Sequence, residues 1–225
     1  REQDELVLWF EQDLFCAVNL WYVLDRLGDH PALISLVFPP LGNGFDGLGR
    51  LGHDDFAPLF ERRTLVDAAA HASARALWRA YAAPDPTALA AADAALPFAR
   101  RAARLHAGRF PSTEHGLSEV EQATLHALGA TGVREFGDLF RAISRQPPLS
   151  ELGMGDVQFA AILGELAAGA TPILRIDDPA GPFGRWRVTR TAAATEVLAG
   201  RADRLTLCPL DRWLGGVHLL AGSPI

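Results

Sequence analysis

The chain has 225 residues, of which 49% are hydrophobic, and a net charge of −6. This composition excludes a disordered chain, and the length allows one large or two small domains. All 21 basic residues are arginines, which excludes Schiff-base chemistry and a lysine-dependent phosphate loop, and the acidic surplus argues against nucleic acid as the partner.

The hydrophobic runs and the cysteines indicate where the protein resides. No run of about 18 apolar residues predicts a membrane-spanning helix, and no charged and apolar leader marks the chain for secretion. Cys16 and Cys208 lie far apart and are interpreted as free thiols in a reducing compartment. We therefore expect a cytoplasmic protein with no membrane partner.

Residues 6–38 predict a strand, a helix and a second strand. Leu6 to Phe10 is a short apolar run, as is 33–38, and both are typical of buried strands. Asp13 suits the N-cap of a helix that reaches about Leu27. This order predicts a βαβ unit with a parallel sheet. Because a buried strand needs neighbours on both sides, we expect a further N-terminal segment to supply one.

The middle of the chain predicts helices. A glycine-rich loop over residues 39–55 follows the second strand, and a short helix capped by Asp54 or Asp55 extends to Phe60. Further helices are predicted over residues 64–81, 87–95 and 97–107.

A different pattern begins at Gly116. Ser118, followed three residues later by Glu121, is a capping box and predicts the start of a helix. Three helices followed by two strands are the pattern of a winged helix-turn-helix. The helices are predicted over residues 118–128, 133–145 and 156–168, the strands over 173–176 and 185–189, and a last helix over 191–198.

The predicted fold class is α/β, with a truncated Rossmann-like βαβ part, an α-helical middle and a C-terminal winged-helix (α+β) domain. The expected domains are a partial α/β Rossmann-like domain, a helical connector, a winged-helix-like domain and a C-terminal hairpin or tail, over residues 1–62, 63–115, 116–200 and 201–225.

Three separated segments carry a family resemblance. They are "LWFEQDLFCAVNL" from Leu8, "ALPFARRAARLHAGRFPSTEHGLS" from Ala95 and "LAGRADRLTLCPLDRWLGGVHL" from Leu198. In this order they resemble the bacterial domain-of-unknown-function 1835 family over nearly the whole chain. The resemblance implies a Rossmann-like part, helices and a winged-helix-like part, with a further N-terminal segment that contributes the first strand. It places the acidic motif of the family at Glu11 and Asp13 and implies no activity.

Acidic residues after the first strand are the first candidate site. Glu11 and Asp13 follow this strand, and ligands of open α/β sheets bind at the carboxyl ends of strands. The pair suits Mg²⁺ or Mn²⁺, or a general base. His53, on the loop after the second strand, is expected at the same edge, so Glu11, Asp13 and His53 are the predicted catalytic residues and the two acids the predicted metal ligands. Alternatively, Asp13 caps the helix and Glu11 adds favourable charge to its N-terminus, while His53 is an exposed residue beside the N-cap of the next helix.

The predicted winged helix raises the question of DNA binding. Its recognition-helix candidate, residues 155–168, contains no arginine and carries Asp156 and Glu165. Gln158 is its one group suited to reading bases. Arginines in the wing, such as Arg187, suit phosphate contacts, but acids outnumber bases across the unit. We therefore expect the wing to dock onto the α/β part or onto another protein, with DNA binding as the disfavoured alternative.

Two classes of function remain open at this point. The first is a binding or regulatory module that uses the winged helix to contact a protein or small-molecule partner. The second is a metal-dependent enzyme for a phosphorylated or nucleotide-like substrate, with Glu11 and Asp13 at the strand end.

Overall fold

The computed structural model describes residues 3–40, 47–92, 95–129 and 132–221. Over these residues the chain is a mixed α/β protein with ten α-helices and three small sheets. None of the helices in this described part is both long and apolar enough to cross a membrane. The helices are α1 (Leu14–Leu27), α2 (Phe56–Glu61), α3 (Ala68–Tyr81), α4 (Ala88–Ala91), α5 (Ala99–Ala107), α6 (Glu119–Leu128), α7 (Phe136–Ser144), α8 (Asp156–Leu166), α9 (Ala192–Leu198) and α10 (Arg204–Leu207). The strands are β1 (Glu5–Trp9), β2 (Leu33–Val37), β3 (Thr64–Leu65), β4 (Val133–Glu135), β5 (Leu174–Asp177), β6 (Arg187–Arg190), β7 (Leu210–Leu214) and β8 (Val217–Ala221).

The chain divides into two compact units. Unit 1 comprises Arg1–Leu105 and the short segment Glu151–Gly153, and unit 2 comprises His106–Ser150 and Met154–Ile225. The segment Glu151–Gly153 thus belongs to unit 1 although the residues on either side of it in the sequence belong to unit 2.

Unit 1 is built on a three-stranded sheet in the order β1-β2-β3. The two apolar runs form the parallel pair β1 and β2, as the sequence predicts, with α1 as the connection between them. α1 packs against α3. The core of unit 1 includes side chains less than 2% exposed at Leu20, Trp21, Leu24 and Leu77.

α1 begins and ends where the sequence predicts. The Asp13 carboxylate accepts a hydrogen bond from the Cys16 N–H at 2.7 Å, which satisfies one of the free N–H groups of the first turn. Gly28 ends the helix at a φ of +52°, a conformation that costs glycine little because it has no Cβ.

The helix predicted from Thr64 starts later in the structure. Thr64 and Leu65 form β3, which pairs antiparallel with β2, and the Val66 N–H donates to the Ile34 carbonyl at 2.8 Å. α3 starts at Ala68 because Asp67 caps it by accepting from the Ala70 N–H at 2.8 Å. The prediction failed here because pairing with β2 outweighs helical periodicity in a β-branched segment.

Unit 2 contains the capping box that the sequence predicts. The Glu121 carboxylate accepts from the Ser118 N–H at 2.7 Å, and the Ser118 hydroxyl accepts from the Glu121 N–H at 3.4 Å. These reciprocal bonds start α6.

The second sheet has the order β4-β6-β5, and both pairs are antiparallel. β4 occupies Val133–Glu135, where a helix is predicted from Val133. The sequence prediction missed this strand because its three residues form a strand through pairing with β6, a long-range contact. α7 then starts at Phe136, whose buried ring lies against Phe140 and Phe159.

A buried charge cluster attaches the C-terminal segment to the rest of unit 2. Arg204 on α10 is fully buried and lies 3.4 Å from the Glu121 carboxylate and 3.2 Å from that of Glu165. Arg212 on β7 also contacts both carboxylates. The four side chains carry no net charge, which reduces the cost of removing them from water. We call Glu121, Glu165, Arg204 and Arg212 the buried charge cluster.

The buried charge cluster leads to a stability prediction. Arg204→Met removes one cation and leaves two acids facing Arg212 alone, so we expect a loss of about 3 kcal/mol in the free energy of unfolding. Urea denaturation measures this loss. Arg201→Met is the matched control, because Arg201 lies in the same segment and forms an exposed ion pair with Glu196. We expect the control to leave the urea midpoint almost unchanged. Equal losses in the two variants would contradict the importance of the cluster.

Candidate functional site

Glu11 anchors the loop that follows β2. Its carboxylate accepts a hydrogen bond from the Leu48 N–H at 2.7 Å. Gly47 adopts a φ of +110°, and a Cβ built there would lie 3.1 Å from a Glu11 carboxylate oxygen. The loop and the end of β1 therefore meet at one edge of the sheet, and glycine allows the close approach.

Asp13 is a buried acid, with 6% of its surface exposed. Burial raises the pKa of its carboxyl above the ordinary value, and the nearby Glu11 charge adds to this shift. Leu152 and Gly153 lie against the same helix end: the Phe15 N–H donates to the Leu152 carbonyl at 3.3 Å. The cap thus explains the position of Asp13, while its charge has an energetic cost that a neutral cap would avoid.

Cys16 lies beside these acids. Burial first, and the charges of Asp13 and Glu11 as well, raise the pKa of its thiol to about 11. The thiol is therefore neutral near pH 7 and is not an activated nucleophile.

His53 bonds to neither Glu11 nor Asp13. Its side chain is fully exposed, and its ring nitrogen lies 3.3 Å from the Asp54 carboxylate. Among the described residues, no hydrogen bond or ion pair joins His53 to Glu11 or Asp13. The same residues contain no group of three or more His, Cys, Asp or Glu side chains that could hold a metal ion. The site of Glu11, Asp13 and His53 stays a prediction.

Two variants of Asp13 separate its capping role from its charge. Because its pKa is raised in the folded chain, its favourable contribution to stability exists below the ordinary pKa of about 3.9 and is lost as the pH rises through the raised value. Asn caps a helix about as well as Asp, so Asp13→Asn should be more stable than the parent at pH 7 in urea unfolding. Asp13→Ala loses the cap and should cost about 1 kcal/mol. A less stable Asp13→Asn at pH 7 would show that the charge supports the fold.

The metal hypothesis predicts that millimolar Mn²⁺ raises the melting temperature and that Glu11→Gln abolishes the rise. An ion at about 100 times its Kd adds about 2.7 kcal/mol to the stability of the folded state. His53→Gln is the control, and it should keep the rise because no bond joins His53 to the acids. A melting temperature of the parent chain that does not respond to Mn²⁺ would refute the metal hypothesis.

A groove beside β3 is the second candidate site, and we call it the β3 groove. It has a volume of about 590 Å³, which lies within the usual range for ligand pockets. Its apolar walls come from β2, β3, the first turn of α3 and residues 95–97. Its polar groups belong to Gln12, Arg62, Thr64 and Asp67.

Sequence reasoning missed the β3 groove, because the helix predicted from Thr64 replaced the strand that forms one wall. A usable signal was present. Asp67, followed by three alanines, is an N-cap pattern that would have started α3 after β3 and left residues 64–66 extended.

The recognition-helix candidate of unit 2 presents no basic surface. Val157 on α8 is 66% exposed. Glu165, near the other end of α8, contacts Arg204 and Arg212 in the buried charge cluster. The exposed residues of α8 are Asp156, Val157, Gln158 and Ala161.

The exposed arginine of β6 has acidic neighbours on both sides. Arg187 pairs in register with Glu135 on β4 and with Asp177 on β5, and all three residues are exposed. Residues that pair across strands share a face of the sheet, so Glu135 and Asp177 lie on the same face as Arg187. These acidic neighbours reduce the attraction of Arg187 for a phosphate backbone.

The C-terminal hairpin exposes an aromatic surface. Trp213 is 64% exposed and stacks on His218, with ring centroids 4.6 Å apart. His218 Nε2 lies 2.7 Å from the Asp211 carboxylate. Asp211 and Arg212 are adjacent in the sequence, but adjacent strand residues point to opposite faces, so Arg212 reaches the buried charge cluster and Asp211 reaches His218.

Comparison of the chain with protein-family models, with curated proteins and with solved structures finds no match. The family resemblance of the three sequence segments therefore stays a prediction.

Proposed function

We propose that this chain is a binding module of a bacterial cytoplasmic protein. It binds a small ligand in the β3 groove of unit 1 and makes protein contacts through a winged-helix-like part in unit 2. The β3 groove is the observation that carries the proposal, because its volume and its apolar walls with a few polar groups are the usual properties of a ligand pocket.

The arrangement of unit 1 supports a Rossmann-like half. β1, α1 and β2 form a βαβ unit with parallel strands. The β3 groove includes Gln12 and Phe38, which follow the carboxyl ends of β1 and β2. Ligands of open α/β sheets bind at this side of the strands.

The order of elements in unit 2 supports a winged-helix-like part. A helix, a short strand, two further helices and a pair of antiparallel strands follow one another, and β6 lies between β4 and β5. The uncharged and acidic surface of α8 and the flanked Arg187 favour a protein partner over DNA. Retention of a DNA duplex by the chain at about 0.15 M salt would contradict this part of the proposal.

A groove-filling variant tests the ligand site. Ala69 is exposed and lines the β3 groove, so Ala69→Trp places an indole in it. We expect this variant to bind the amphipathic dye anilinonaphthalene sulfonate at least about tenfold more weakly than the parent chain, a loss of about 1.4 kcal/mol. Fluorescence titration of the dye gives the two affinities.

Ala76→Trp is the matched control. Ala76 is also exposed on α3, two helical turns further on, and does not line the β3 groove. We expect the control to bind the dye as the parent does. Equal dye binding by all three proteins would refute the β3 groove as the ligand site.

A metal-dependent enzyme for a phosphorylated or nucleotide-like substrate is the second candidate. The observation that favours it is the raised pKa of Asp13 beside Glu11 at the strand end, since shifted carboxyl groups are common at catalytic sites. The Mn²⁺ melting experiment tests this candidate.

A further inference from the structure

The β3 groove reaches an edge strand of the sheet. Thr64, Leu65, Val66 and Asp67 line it, together with residues at the carboxyl end of β2. β3 is the last strand in the sheet order, so one of its edges has no neighbouring strand among the described residues.

The pairing of β3 with β2 directs the backbone N–H and C=O of Leu65, a residue that lines the groove, away from β2. Val66 lies opposite Ile34 and donates its N–H to the Ile34 carbonyl at 2.8 Å. In an antiparallel pair, alternate residues exchange both of their bonds with the partner strand. Thr64 and Val66 therefore face β2, and the N–H and C=O of Leu65 point away from it. These two groups have no hydrogen-bond partner in the described part of the chain.

The ends of the groove carry opposite charges. Arg62 precedes β3 and uses its Nε to bond the Pro58 carbonyl at 3.0 Å, which leaves its two terminal nitrogens available. Asp67 follows β3 and is exposed. A guest strand that runs antiparallel to β3 has its amino end near Asp67 and its carboxyl end near Arg62. Charge thus favours this direction for a guest with free termini.

The other walls suit an extended apolar guest. Pro39, Pro40 and Pro97 line the groove and have no N–H group that would need a partner. Leu59 and Leu65 supply apolar contact surface, and Leu65 is 61% exposed. A guest that spans Thr64 to Asp67 covers about 10 Å at about 3.3 Å per residue, which corresponds to four residues.

We propose that the β3 groove binds an extended apolar peptide of about four residues, added as an antiparallel strand to β3, with its free carboxylate at Arg62. This inference rests on the proposed function of the groove as a ligand site. The main-chain bonds to Leu65 hold the peptide, and the apolar walls select its side chains, which is the general mode of strand addition.

The register of this strand makes a sharp test. The first residue of a four-residue peptide lies opposite Asp67, and the third lies opposite Leu65. The third residue therefore exchanges both bonds with Leu65, whereas the N–H of the second residue points away from β3. The probe is Lys-Val-Leu-Val with a fluorophore on the lysine side chain and free termini, and fluorescence anisotropy with the whole chain measures its affinity.

Methylation of one backbone nitrogen is the decisive change. N-methylation of the third residue removes the donor to the Leu65 carbonyl and should weaken binding at least about tenfold. N-methylation of the second residue is the matched control and should leave the affinity unchanged. Equal affinities of the two methylated peptides would overturn the strand-addition geometry.

Variants of the chain test the other contacts. Leu65→Pro removes the outward N–H of residue 65. That N–H has no partner in the described part of the fold, so the sheet loses no hydrogen bond. The variant should bind the probe more weakly than the parent chain does. Amidation of the peptide carboxylate should weaken binding to the parent chain but not to Arg62→Gln. An amidated peptide that loses the same affinity for both proteins would overturn the role of Arg62.

The two proposals fail in different ways. If the dye binds the parent chain and Ala76→Trp but not Ala69→Trp, and the peptide does not displace it, the groove is a ligand site and the peptide inference is wrong. If neither dye nor peptide distinguishes Ala69→Trp from Ala76→Trp, the proposed function of the groove falls as well.

Discussion

The backbone groups of a central strand alternate between its two neighbours, and this alternation in β2 organises unit 1. Leu33 bonds toward β1, where its N–H meets the Asp4 carbonyl, and Ile34 bonds toward β3, where its carbonyl meets the Val66 N–H. The same alternation directs the N–H and C=O of Leu65, a residue that lines the β3 groove, away from β2. The parallel pairing with β1 brings Glu11 to the strand end where Leu48 of the following loop can reach it. Both candidate sites of unit 1 therefore depend on the pairing of β2 with β1 on one side and with β3 on the other.

In unit 2, two arginines contribute to a buried cluster of charges and not to the exposed surface. Arg204 and Arg212 lie in the buried charge cluster, where they balance Glu121 and Glu165, so these cations contribute to folding and not to a binding face. Breaking such a cluster is costly because an unpaired charge would remain out of water. Arg187 stays on the surface but has acidic neighbours in register. The exposed Val157 and Trp213 of this unit suit apolar contacts.

The end of β1 combines a structural role with an energetic cost. Asp13 starts α1, yet burial raises the pKa of its carboxyl, so a neutral cap would serve the helix at lower cost. Glu11 has a direct explanation in its bond to the Leu48 N–H, which holds the loop against the sheet. The hydrogen bonds of Glu11 and Asp13 thus account for the position of both acids.

The sequence by itself determined the elements that depend on local interactions. Asp13 and Gly28 bound α1, and the capping box of Ser118 and Glu121 starts α6, because these bonds join residues at most four apart in the chain. β3 and β4 were not predicted, because short strands are stabilised by partners far away in the sequence, here β2 and β6 respectively. The buried charge cluster is a tertiary feature for the same reason: its acids and arginines are separated by tens of residues, and composition does not show which charges are buried. The β3 groove likewise exists only once β3 is paired, because pairing decides which backbone groups of Leu65 remain free to bind a guest.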